Sequence, residues 1–448
     1  MPGVEEKIIA ITFSLSILGV VRFSRVLAGT YLVPAGMFSI CWFLFTIFPL
    51  TILARVPINP LSILYIALAT LVFSMSAAPF NWKAAIKSNK KKISRSHQFD
   101  TNFLRSAMYA SIGASFFFSL ATMMKNGFSI DQIIFDLIKT SGQYAAVRGS
   151  DGMEYGLIGM LGTLTTYLSP VLGGLINSER KNNWLLAASI SPSLLTMVIQ
   201  SSKLAFLVAF CFYISGALIG RIFQHQLTIP KIKSPIKLFT GIALISALVL
   251  ISFVSRFGDF EVNNLEAITD PLIFSIASYT LGQIYAFSDF FSFATHAPSI
   301  SSFKDDFYSY GAYTFNSIFA TLGMEKDFPP GMYEESGWYP DVFETNIFTF
   351  FRGLIYDFGV VGSLIFLYLI GLISHLITYR TLMQRKPWAE ATALIAITVF
   401  ILMSYLFSIF VARYAIFTSV ALWLLLQTNS ILNQTKQIHE GHTGIKTL

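Results

Sequence analysis

Charge is what this chain has least of. Of its 448 residues only 12% are Asp, Glu, Lys or Arg, against 54% hydrophobic. A soluble domain carries about twice that charged fraction, so a free soluble globule is excluded. Cysteine is nearly absent, and Cys41 and Cys211 both lie in apolar runs, which offers neither a disulfide framework nor a metal-ligand spacing. There is no Gly-x-x-x-x-Gly-Lys-Ser/Thr, no His-Glu-x-x-His, no Cys-x-x-Cys and no clustered Asp-x-Asp. A nucleotide-hydrolysing loop, a zinc hydrolase or a metal-held nucleotide sugar needs those groups at those spacings. The expectation is an activity without metal, nucleotide or cofactor. A basic leader region is missing too: Glu5 and Glu6 stand near the N-terminus, so the first apolar run reads as a retained transmembrane helix.

What is abundant is the apolar run. Stretches of roughly 17 to 25 apolar residues, long enough to cross the hydrocarbon core as helices, recur along most of the chain. They lack the alternation of a membrane barrel, and only helices or closed barrels satisfy their backbone in lipid. The fold class expected is an all-α polytopic membrane protein of about eleven transmembrane helices. Residues 1–254 hold the first eight, the eighth over 238–254. Residues 255–352 form one large loop, 353–430 carry the last three helices, and 431–448 form a tail.

Orientation follows from lysine and arginine. One alternate set of connections, from Arg22 and Arg25 through Lys83 to Arg95, Arg180 and Lys181, Arg221 to Lys237 and Arg380 to Lys386, collects 19 of the 31 basic residues with the tail. By the positive-inside rule that side is cytoplasmic, and the long loop and the N-terminus face out. The net charge of +7 is explained by these short loops and calls for no nucleic acid. Residues 275–295 are apolar enough to imitate a span, but crossing there would reverse the charge rule, and Asp289 suits an interfacial segment instead.

The long loop concentrates the polar chemistry, with 13 of the chain's 24 acidic residues and only four Lys or Arg. Arg256 and Arg352 stand at its two membrane ends, Lys203 sits in a tight hairpin between two spans, and Arg148 and Arg413 flank other spans. A cation at membrane depth costs about 2.5–3.5 kcal/mol unless paired or hydrated. Snorkelling at a span end is the bland account of each, and it carries most weight for Arg413. Converging guanidinium groups would instead suit a lipid-linked pyrophosphate, which they grip bidentately. Asp259 and Glu344 are the acids placed to lie near Arg256 and Arg352, as a general base or as a structural ion pair. Asp305, Asp306, Glu334 and Glu335 read as a solvated face, Asp357 as a local cap or partner, and residues 331–340 as an ordered surface loop. Tyr and Trp along the loop suit either sugar stacking or the headgroup belt.

Glu344-Thr-Asn346-Ile-Phe-Thr349-Phe-Phe-Arg352, followed by Tyr356, Asp357, Gly359 and Gly362, resembles the segment after the large periplasmic loop of Wzy-type O-antigen polymerases. Ser201-Ser-Lys203 resembles that family's Gly-Ser-Arg/Lys turn, with lysine in the basic position. The resemblance implies a C-type glycosyltransferase, in the polymerase/ligase branch, in the bacterial inner membrane. Such an enzyme transfers a growing glycan from undecaprenyl pyrophosphate to the non-reducing end of a new lipid-linked repeat unit, on the periplasmic face, alongside a chain-length regulator protein. It maps cationic roles onto Arg256 and Arg352. Together with the residue reading, it makes Arg256, Arg352, Asp259 and Glu344 the catalytic candidates. Lys203, Arg148, Asn346, Thr349, Tyr356 and Arg413 become candidates for holding pyrophosphate and glycan. The alternatives are an O-antigen ligase with the same donor, a flippase or transporter of lipid-linked oligosaccharide, and a non-catalytic envelope scaffold. A transporter would place charge at the bilayer midplane, where these spans have almost none.

Overall fold

The computed structural model describes residues 4–91, 99–149, 156–179, 183–200, 202–224, 226–227, 250, 265–295, 303, 307–324, 332–383 and 387–444. In chain order the helices are α1 (Val4–Ala28), α2 (Pro34–Ile52), α3 (Pro60–Met75), α4 (Trp82–Lys91), α5 (Thr101–Lys125), α6 (Ile130–Phe135), α7 (Leu137–Gly149), α8 (Gly156–Glu179), α9 (Asn183–Ile199) and α10 (Lys203–Phe223). The long loop contributes α11 (Leu265–Thr280), α12 (Gln283–Thr295), α13 (Asn316–Thr321) and strands β1 (Met332–Tyr339) and β2 (Phe343–Ile347). Then come α14 (Phe350–Met383), α15 (Pro387–Met403), a short 3-10 turn (Ile409–Val411) and α16 (Arg413–Gly444).

The chain is a multi-pass helical membrane protein: seven of these helices are long and apolar enough to cross a bilayer, and three shorter apolar ones, Pro60–Met75, Trp184–Ile199 and Trp388–Met403, lie among them. Ten of the eleven expected spans therefore correspond to a helix. The remaining one, over 238–254, lies outside the described residues except for Leu250. Local signals start the helices where a sequence reader would place them. Asn59 caps α3 by accepting from Leu61 N, with Pro60 at the first position, and Asp100 caps α5 by accepting from Asn102 N and Phe103 N. Each cap satisfies amides that the first turn leaves without partners.

Two packed groups build the bundle. In one, α1, α2 and α3 pack together, with α14 against α3. In the other, α8 lies against both α5 and α10. The α8–α10 seam depends on glycine: a Cβ at Gly174 would strike the Tyr213 carbonyl, and one at Gly216 the Val171 carbonyl. Small residues let helix backbones approach closely where lipid gives no hydrophobic drive.

Residues 275–295 are not one continuous helix. They break at Leu281-Gly282 into α11 and α12, of 16 and 13 residues. Helix α12 lies on the bundle, where Asn59 Nδ2 donates to Ser292 Oγ at 2.8 Å and Phe287 and Phe291 pack on Tyr65. Lys7, near the start of α1, donates to Tyr285 Oη at 2.6 Å, which sets the amino end of α1 on the same side as the loop.

The antiparallel hairpin β1–β2 differs from the expected surface loop. Gly337 pairs with Thr345, Trp338 with Glu344 and Tyr339 with Phe343. Its turn is closed by Asp341 in the left-handed region, φ 57°. The inner face of the hairpin covers α11 and α12, and on it the Phe343 and Tyr339 rings lie tilted, 4.8 Å apart.

Helix α14 is interrupted. Gly359, at φ 69° and ψ 174°, separates a short helix over 350–358 from a 24-residue span over 360–383. The carbonyls that the break frees are taken up by the loop. Tyr308 N and Ser309 N donate to Tyr356 O, and Tyr310 N donates to Asp357 O. An added Cβ at Gly359 would also meet the Tyr308 ring at 3.2 Å, so glycine is required twice over.

Candidate functional site

The short helix over 350–358 carries Arg352 into the interior. Its side chain is 1% exposed. Nη2 donates to Glu335 Oε2 at 2.9 Å and to Tyr356 Oη at 3.3 Å, the second contact being the i, i+4 spacing of one helix face. The guanidinium carbon lies 3.6 Å from the Tyr333 ring centroid and 4.0 Å from that of Phe348. Phe290 and Phe303 stand each at 5.1 Å. Aromatic faces attract a cation but accept its hydrogen bonds weakly. Nε and Nη1 are accordingly buried with no hydrogen-bond partner. Leaving such donors unmade is costly in a dry interior, and an arriving anion would satisfy them.

Tyr333 and Phe348 also bound a small space with room for about one water molecule, together with Thr349, Gly353 and Phe407 among others. Thr349 and Thr314 line it, and the Oγ1 of each is buried without a partner. Arg352 with Glu335 is the one ion pair among the described residues. Burial pushes the Tyr333 hydroxyl well above its usual range, with the Arg352 charge drawing it partly back. Tyr333 therefore stays a neutral donor at any physiological pH.

Five residues on, Asp357 is buried completely and does something different. Its carboxylate accepts from Ser309 Oγ at 2.6 Å, Tyr313 N at 3.0 Å and Thr314 N at 2.7 Å. The expected local cap or partner is replaced by a long-range one, since the donors lie 43 to 48 residues earlier in the chain. The loop it holds contains Tyr308 and Tyr310 at φ 65° and 52°, a left-handed backbone that costs roughly 1–3 kcal/mol per residue and persists only where neighbours fix it.

The structure brings Arg352, Tyr356 and Thr349 together. It sets Glu344 and Asn346 on the exposed outer face of β2, where Glu344 accepts from Ser336 Oγ at 2.8 Å. The acid near Arg352 is Glu335, not Glu344. Glu335 therefore does not belong to a solvated face: its side chain is 12% exposed. Alternation along β1, with Tyr333, Glu335 and Tyr339 inward and Glu334, Ser336 and Trp338 outward, is the signal that identifies it. Lys203 opens α10 and lies over the Tyr279 ring at 5.3 Å, which sets the expected hairpin against the long loop. Arg413 is exposed at the start of α16. Arg148 ends α7, its side chain outside the described residues, as are Arg256, Asp259, Asp305 and Asp306.

A second polar pair lies under the hairpin. Tyr339 Oη donates to both Asp289 oxygens, at 2.9 and 3.0 Å. Burial raises the Asp289 carboxyl to about 6, and the tyrosine bond pulls the other way. No family model, no curated protein and no solved structure matches the chain.

Proposed function

We propose that this protein polymerises lipid-linked oligosaccharide repeat units of an O-antigen or similar bacterial surface polysaccharide, at the periplasmic face of the inner membrane. The growing glycan would pass from undecaprenyl pyrophosphate to the non-reducing end of an incoming lipid-linked unit. The observation that supports this reading is the Arg352 guanidinium, buried among aromatic rings with one acid partner and two donor nitrogens unfilled. Guanidinium is the side chain whose planar donors match phosphate oxygens, and the sequence resemblance places a cation at this position.

The chemistry then divides between the two partners. Glu335 takes the proton of the acceptor hydroxyl; the acceptor oxygen bonds to the anomeric carbon as the bond from that carbon to the pyrophosphate oxygen breaks, with inversion. As Glu335 is neutralised, Arg352 is left with an uncompensated charge facing the leaving pyrophosphate, where it stabilises the charge developing there. Arg256 and Lys203 are the further cations in this reading.

The test is Arg352→Ala in the native strain, with membrane levels checked by immunoblot and surface polysaccharide resolved on a gel. Collapse of the ladder to a single core-plus-one-unit band supports polymerisation. Loss of all bands, with long lipid-linked chains accumulating, would assign a ligase. Absence of any periplasmic intermediate would assign a flippase. An unchanged ladder at normal protein level would make Arg352 a structural anchor and remove the proposed site.

A further inference from the structure

A second cavity, separate from the Arg352 cage, opens among α5, α8, α9, α10 and α16. Its volume is about 230 Å³, enough for a sugar ring rather than a few waters. It lies at the loop-side ends of these helices, since Gln200 and Ser202 of the α9–α10 hairpin line it. No charged side chain is among its lining residues.

Its lining is rich in hydroxyls, and the hydrogens of its four threonines are already committed. Thr122 donates to Phe118 O, Thr163 to Gly159 O and Thr166 to Gly162 O, each at 2.8 Å, and Thr196 donates to Pro192 O at 2.9 Å. A hydroxyl has one hydrogen and two lone pairs, so these oxygens are available to a ligand only as acceptors. One wall is aromatic, with the Tyr167 and Tyr414 rings 4.8 Å apart. Tyr414 Oη is buried without a hydrogen-bond partner. A neutral lining that offers threonine lone pairs and an unfilled tyrosine hydroxyl suits a group that both donates and accepts hydrogen bonds without charge. Hydroxyl and amide groups of a sugar do that, and the ring's apolar face suits a tyrosine wall.

One short segment links the cavity to the small space that Tyr333 and Phe348 of the Arg352 cage also line. Phe407, Ser408 and Val411 bound the small space beside Thr349, and Tyr414 lines the sugar-sized cavity. Three residues span no more than about 10 Å, the order of one or two sugar units.

We infer that this cavity is a glycan subsite, which holds a sugar of a lipid-linked saccharide by its hydroxyls while Arg352 engages pyrophosphate. The inference rests on the glycan-polymer reading and adds a division of labour: sugar recognition in the threonine-lined cavity, phosphate recognition at the guanidinium.

The test uses the full-length protein in lipid nanodiscs. One probe is the repeat-unit oligosaccharide released by mild acid from the native strain's lipid-linked intermediates; the other is inorganic pyrophosphate. Titration calorimetry is run on wild type, on the Thr163→Val/Thr196→Val pair, on Tyr414→Phe and on Arg352→Ala, each checked for monodispersity and thermal unfolding. The expected result is oligosaccharide binding weakened at least tenfold by the valine pair and about threefold by Tyr414→Phe, but within twofold of wild type in Arg352→Ala. Pyrophosphate binding should show the reverse pattern, and a Thr163→Ser/Thr196→Ser pair should restore oligosaccharide affinity. Tyr414→Phe removes only an unpartnered oxygen and carries the test even if the valine pair does not fold. Wild-type oligosaccharide affinity in both the valine and phenylalanine variants would overturn the subsite while leaving the polymerase reading intact. No oligosaccharide binding by wild type would overturn both.

Discussion

Arg352 and Asp357 lie five residues apart on one short helix, both buried to 1% or less, yet they stand in opposite relations to their surroundings. Both carboxylate oxygens of Asp357 are held by donors from the 309–314 loop. Around Arg352 one acid and one tyrosine hydroxyl serve a single nitrogen, and the remaining surface is aromatic. The first arrangement fastens a strained loop to a broken helix. The second leaves two donor nitrogens unfilled. Burial of a charge does not by itself distinguish a fastener from a site; the hydrogen bonds left unmade do.

The sharpest way to break that contrast is at the arginine. Arg352→Ala is expected to lower chain elongation by about 10²–10³-fold, the order seen when one preorganised charge stabiliser is lost, with normal protein in the membrane. Asp357→Ala should do the converse. It strands two buried amides and a hydroxyl, costs about 3 kcal/mol or more, and shows as a lower unfolding temperature and depleted membrane protein. Should Asp357→Ala leave stability unchanged, its role as fastener fails.

The two acids of the hairpin sharpen the comparison further. Glu335→Gln keeps the shape of the Arg352 partner but cannot take a proton, and elongation should fall by about tenfold or more. Glu344→Gln, on the exposed face, should change the rate by less than about twofold. Equal effects at the two positions would contradict the assignment of Glu335.

Asp289 gives the smallest expected effect. Its folded value near 6 lies above that of an unfolded aspartate, so the native state binds the extra proton between about pH 4 and 6. Stability should therefore fall as pH rises through that window and level off above it. The loss is at most about 3 kcal/mol, at about 1.4 kcal/mol per pKa unit. Thermal unfolding from pH 4.5 to 7.5 should show this slope in the wild type and not in Asp289→Asn; a slope that survives the substitution belongs to another group.

How far the molecule is legible in its sequence depends on the range of each interaction. Apolar runs mark the spans because lipid imposes a length on each helix separately. Arg352 and Tyr356 are legible as neighbours because four residues on a helix face set them together. Glu335 is not, because its contact needs β1 paired with β2, and that pairing is hidden by two consecutive glutamates, Glu334 and Glu335, that point to opposite faces. Nearness in sequence misleads for Glu344, eight residues before Arg352, because strand alternation turns it outward. The threonines of the sugar-sized cavity come from three helices and make no motif at all.

The interruption at Gly359 has a mechanical consequence. A membrane span tilts with the thickness of the bilayer around it. Were residues 350–383 one continuous rod, Arg352 would ride about 10 Å beyond Gly359 at 1.5 Å per residue, and a tilt of roughly 10° about that point would swing it by about 2 Å, well outside the tolerance of a working site. With the rod cut at Gly359 and its upper piece tied by the Tyr356 and Asp357 carbonyls to residues 308–310, the guanidinium takes its coordinates from the loop. The span can follow the lipid while the site keeps still.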